Sequence, residues 1–179
     1  SSGKKALALL KTMEHLGIKP DIRTLTLFLQ NVVKGRNDAA FLVAMAATNR
    51  LQQAYDLGKD SYVRHSLMDA CASVSIKYRD EAIKQSLTNL HEIRTSGEVG
   101  PSTYGIVSKI VSKLCRGHKQ SHKIAVRCFE LCCKDGWLTH EAKLRFQNSM
   151  PEATWVRMYT DKLSRMGEEP PEWSRKVVG

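Results

Sequence analysis

A glycine corner returns along this chain at a nearly fixed interval, and that interval narrows the folds open to it. Gly17, Gly58, Gly97 and Gly136 are separated by 41, 39 and 39 residues. A fifth corner, Gly167-Glu168-Glu169-Pro170-Pro171, repeats the Gly-x-x-Pro form of Gly17-Ile18-Lys19-Pro20. The apolar residues flanking the first corner have helical spacing: Ala6, Leu9, Leu10, Met13 and Leu16 before it, Leu25, Phe28, Leu29 and Val32 after it. Glycine can take the left-handed turn that ends a helix, proline bends the chain, and Asp21 or Thr24 can cap the next helix. A period of this size is the mark of stacked helix pairs.

Three further columns keep the same offsets: Phe28, Leu67 and Val107; Val32, Cys71 and Val111; Lys34, Ser73 and Lys113. The spacing predicts a lone helix over 4–16. Helix pairs follow over 23–33 and 38–56, 61–73 and 80–95, 102–114 and 121–134, and 139–149 and 152–166. Sustained period-2 alternation and hairpin dipeptides are missing, so the expected class is all-α. Helix pairs touching only their neighbours form a solenoid, a superhelix whose first helices line a concave face. Ser1-Ser2-Gly3 reads as a cloning remnant. The helical-repeat domain, about four and a half pairs, is expected over 4–171, with 172–179 as a tail or the start of a truncated segment. Both ends read as cuts through a longer array. No apolar run reaches the roughly 20 residues of a membrane span.

The chain has 179 residues and a formal net charge of +10. Such a surface attracts phosphate backbones in a salt-dependent way. Basic residues are densest over 109–127. Aromatic residues make up only 7% of the chain, too few for generic base stacking to dominate. Trp137, Trp155 and Trp173 are expected to pack between helices. Cys115, His118, His122 and Cys128 match no standard zinc spacing, and Cys128 and Cys132 fall on an apolar stripe, so no metal and no cofactor is expected. Five cysteines without a framework suggest reduced thiols. Phosphate loops, His-Glu-x-x-His and nucleophile elbows are missing, and the acidic pairs Asp80-Glu81 and Glu168-Glu169 have ready structural roles. The expectation is therefore no enzyme and no small-molecule substrate.

Ala6-Leu7-Ala8-Leu9-Leu10-Lys11-Thr12-Met13 followed by Gly17-Ile18-Lys19-Pro20-Asp21 resembles the second half of a pentatricopeptide repeat. Ile22-Arg23-Thr24-Leu25-Thr26-Leu27-Phe28-Leu29 is similar to the opening of the next repeat. Ser102-Thr103-Tyr104-Gly105-Ile106-Val107 and the stretch from Tyr62 to Cys71 look like further first helices. The likeness is specific over 4–33 and looser beyond, where the period is longer than the family's. It implies a right-handed superhelical solenoid of antiparallel pairs that binds single-stranded RNA. The implied setting is the mitochondrion, in RNA processing, stability or translation, with the mitoribosome or RNA-processing proteins as partners. Carried over by position, the base-facing candidates are Thr26, His65 and Gly105, with Asp21 and Asp60 (or Asp56) as the paired repeat-closing residues. Thr26 with such an aspartate would favour guanine; His65 and Gly105 are not standard reading residues. Lys34, Arg64, Lys109, Lys113 and Arg116 are the phosphate candidates. The alternative is a protein-interaction scaffold whose degenerate repeats keep the concave face without reading RNA.

Overall fold

A computed structural model describes residues 2–34, 38–57, 60–118, 121–160 and 176–177, and every described element is helical. The chain divides into two compact units, Ser1–Glu98 and Val99–Gly179. The first holds α1 (Ser2–His15), α2 (Ile22–Val33), α3 (Asp38–Tyr55), α4 (Ser61–Cys71), a 3-10 turn (Ile76–Tyr78) and α5 (Arg79–Ser96). The second holds α6 (Pro101–Leu114), α7 (His122–Asp135), α8 (His140–Ser149) and α9 (Glu152–Trp155), which runs into a π-helical turn (Val156–Thr160). Among the described residues no helix is long and apolar enough to cross a membrane.

The glycine corners are helix stops of one design. Gly17, Gly97 and Gly136 have φ of 72°, 78° and 79°. Each donates its N–H three residues back while the next residue donates five back. Gly17 bonds Glu14 O (3.0 Å) and Ile18 bonds Met13 O (2.9 Å); Gly97 bonds Arg94 O and Glu98 bonds Ile93 O (both 3.2 Å); Gly136 bonds Cys133 O and Trp137 bonds Cys132 O (both 3.1 Å). This is the Schellman pattern, which uses a left-handed residue to satisfy carbonyls left over at a helix end. After α3 the left-handed residue is Asp56, φ 52°. Gly58, where the sequence placed that corner, lies outside the described residues, as do Gly167 through Pro171 and Trp173.

The starts are set as locally as the stops. Asp21 Oδ1 accepts from Thr24 N at 2.7 Å, Asp60 Oδ1 from Tyr62 N at 2.9 Å and Val63 N at 3.3 Å, and Thr139 Oγ1 from Ala142 N at 3.1 Å. Pro101 opens α6, where its missing N–H costs nothing. The expected helix boundaries hold to within a few residues, with three differences. Helix α1 starts at Ser2, inside the supposed remnant. A 3-10 turn precedes α5, its Ser75 cap held by Asp38, which accepts from Ser75 N and Oγ at 2.7 Å each. Helix α9 gives way to a π turn at Val156, and the remainder of the expected 152–166 helix lies outside the described residues.

In the first unit α2 packs on α1, α3 and α4, and α4 on α5; in the second, α6 packs on α8 and α7. The apolar columns are the core: Phe28, Leu67, Val107, Val32, Cys71 and Val111 are all at most 5 % exposed. Leu10, Leu25, Leu29 and Leu51 close the first core, each burial being worth about 1.5–3 kcal/mol. In the second, Phe129 meets Phe146 and Trp155 edge-on at 5.8 and 5.3 Å, and Trp155 stacks on Tyr159 at 4.6 Å. Trp155 thus packs as expected, while Trp137 is half-buried with Lys176 Nζ 5.6 Å above its ring.

Two glycine-to-alanine changes should move stability in opposite directions. At Gly97 the left-handed φ penalises any Cβ, so Gly97→Ala should lower unfolding free energy by about 1–2 kcal/mol. Gly105 lies inside α6, and a Cβ there meets nothing within 4 Å. Gly105→Ala should therefore raise it by about 0.5–1 kcal/mol. Urea unfolding of the two variants checks both signs.

Candidate nucleic-acid interface

Helix α6 carries the most coherent charged surface. Lys109 and Lys113, four residues apart, lie on one stripe of α6, and Arg116 follows in the turn just beyond it; all three are exposed. The opposite face, Val107, Ile110, Val111 and Leu114, is buried. The helix is anchored from two sides. Tyr104, fully buried, donates its hydroxyl to Asp135 Oδ2 at the end of α7 (2.5 Å), and Arg145 of α8 donates from Nη1 to Gly105 O (3.1 Å). Like charges spaced this way repel by about 0.2–0.5 kcal/mol per pair. The negative end of the helix dipole offsets part of that cost in the last turn. The exposed side chains form a row of cations along an anchored helix, an arrangement that a polyanion would stabilise.

The other phosphate candidates differ. Lys34 is exposed at the C-cap of α2, the counterpart of Lys113 on its own helix. Arg64 is half-buried on α4 and paired with Glu92 of α5, and burial lowers its pKa. Its guanidinium thus already has an internal anion.

The base-facing candidates fall on three helices: Thr26 on α2, His65 on α4 and Gly105 on α6. Helices α2 and α4 pack together in the first unit, while α6 belongs to the second. Thr26 Oγ1 is buried and, among the described residues, finds no hydrogen-bond partner. Gly105 offers a backbone carbonyl that Arg145 occupies. Asp21 and Asp60 are helix caps; hydrogen bonds from the Thr24 hydroxyl and N–H hold the Asp21 carboxyl below its ordinary range. Cap duty gives both aspartates a structural reason to be where they are.

His65 is half-buried. Desolvation lowers its pKa from 6.5, partly offset by the carboxylates of Asp69, Glu98 and Asp60. The thiols are buried too. Desolvation pushes Cys71 up to about 11 and Cys128 up to about 12, and pushes Cys132 up as well, which makes them poor nucleophiles. Among the described residues no group of three or more His, Cys, Asp or Glu side chains is placed to hold a metal ion.

Sequence reasoning missed the surroundings of Arg116. His122 at the start of α7, Gln147 and Asn148 at the end of α8, and Glu152 and Trp155 of α9 gather with it around an open cleft of about 570 Å³. The two sides of that cleft are some thirty residues apart in the chain, beyond the reach of any local pattern. No family model matches the chain, and comparison with curated proteins and with solved structures gave no match.

Because the folded state disfavours a proton on His65 that the unfolded chain accepts, this residue's contribution is complete above pH 6.5 and is lost as pH falls below it. Chemical denaturation between about pH 7.5 and about pH 5.5 should show a smaller acid loss in His65→Gln than in the parent protein. Equal losses would remove His65 from the pH response.

Proposed function

We propose that this chain binds single-stranded RNA and that Lys109 and Lys113 of α6, with Arg116 just beyond it, track the phosphate backbone. The observation that carries the reading is the row itself: two exposed lysines on one face of an anchored helix, followed by an exposed arginine in the turn beyond it, in a chain with net charge +10. The pentatricopeptide-like wording of the first corner supports it. So does the pairing of first-type helices, α2 on α4 and α6 on α8. The finer architecture, a right-handed solenoid of antiparallel pairs, and the setting, mitochondrial transcripts with the mitoribosome or processing proteins nearby, belong to the proposal on the resemblance alone. The role is binding without catalysis. Phosphate tracking by α6 leads, with base reading by Thr26 and His65 secondary.

One observation favours a protein partner for the first unit. Leu9 on α1 and Leu16 in the turn after it are 64 % and 66 % exposed, with Ile18 at the same corner also exposed. Clustered apolar side chains of this kind mark protein contacts. The two readings use different units and make different demands on salt.

Binding of labelled single-stranded RNA across a salt series separates them. Each lost phosphate contact lowers the slope of log affinity against log salt by about 0.7 on single strands. Lys109→Ala/Lys113→Ala should lower it by about 1.4, and Lys34→Ala by about 0.7 if that lysine also meets phosphate. An unchanged slope in the double variant rejects the stripe, and no binding at physiological salt rejects direct RNA contact.

A further inference from the structure

The cleft at the C-terminal ends of α6 and α8 has two walls of unlike chemistry, and we propose that it receives one unstacked nucleotide. The inference rests on the RNA reading above and adds a site to it. One wall is made for an anion. It carries Arg116, in the turn just beyond α6, and His122, the first residue of α7. A guanidinium presents a fork of donors that suits a phosphate.

The other wall is made for a base. Gln147 and Asn148 are exposed amides at the end of α8, each with donors and an acceptor that can meet a base edge. Glu152 can accept from an exocyclic amine and would repel a phosphate, which fixes the direction in which a nucleotide enters. Trp155, 6 % exposed, gives an apolar floor held in place by Phe129 and Tyr159. Ser149 is not a reader, because its hydroxyl already donates to Phe146 O at 2.6 Å. The volume of about 570 Å³ falls inside the roughly 300–1,000 Å³ span of small-ligand sites. Lys109 and Lys113 stand about 6 Å apart along the axis of α6 and Arg116 follows in the turn at its end, so the row leads a backbone to the mouth of the cleft. Unstacked bases on single strands are the parts of RNA that side-chain edges can reach.

The same nucleotide chemistry comes from an RNA strand or from a free mononucleotide, and one experiment distinguishes them. The Trp155 indole and Asn148 side-chain amide resonances are followed by NMR while the protein is titrated with the four nucleoside monophosphates and, separately, with short single-stranded RNA. Both should give saturable shifts. Gln147→Ala/Asn148→Ala, at exposed positions, should keep the fold and weaken mononucleotide binding about tenfold, the size of one good bidentate contact. Arg116→Ala should bind nucleoside and nucleotide alike. Absence of saturable shifts with either ligand at millimolar concentration overturns the site. RNA binding that leaves these resonances still overturns the cleft and spares the RNA reading. Shifts with mononucleotides but no RNA binding support the cleft and overturn the RNA reading.

Discussion

The left-handed residue that closes a helix is the constraint on which the rest of this protein hangs. At Gly17, Gly97 and Gly136 it turns two leftover carbonyls inward and sends the chain off within three or four residues to the next start. Those starts are equally defined, by Asp21, by Pro101 and by the Thr139 hydroxyl. Fixed stops and starts set helix length. Helix length sets which residues return to the same height, so Phe28 and Leu67 are buried on the packed helices α2 and α4, and Val107 and Phe146 on the packed helices α6 and α8. The apolar columns could not bury together if a corner slipped by a residue, because a helix rotates about 100° per residue.

Function sits on what this scaffold leaves outside. The burial of Val107, Ile110, Val111 and Leu114 obliges Lys109 and Lys113 to face water on the far side of α6, and Arg116 is exposed in the turn that follows. Fixing Tyr104 against Asp135 and Gly105 against Arg145 keeps that row from reorienting. A flexible lysine-rich tail would attract RNA as well, but it would lose far more chain entropy on binding.

The corners and columns were legible in the sequence because their causes are local: a glycine for the left-handed turn, a carboxylate or hydroxyl three residues before the N–H it accepts, apolar residues at helical spacing. The Lys109, Lys113 and Arg116 row was legible for the same reason. Other features were hidden because their partners are remote. Asp38 holds the Ser75 turn from 37 residues away, and Arg64 meets Glu92 on the next helix. The sequence placed the second corner at Gly58, and the left-handed residue described there is an aspartate, Asp56, which no glycine pattern could pick out. The cleft was invisible because the 116–122 and 147–155 stretches that form it share no motif. The Asp21 cap was legible from its place after Pro20, and Asp60 is a cap as well.

The packing described for each unit joins helices that are one or two places apart along the chain. Contacts of that kind close short loops, so little entropy is lost before burial repays it. Chains of this sort belong to the fast-folding end of the kinetic range. During synthesis each helix finds its partners soon after it emerges. The apolar columns are then covered almost as soon as they are made, and the interval in which they could seek another chain is brief.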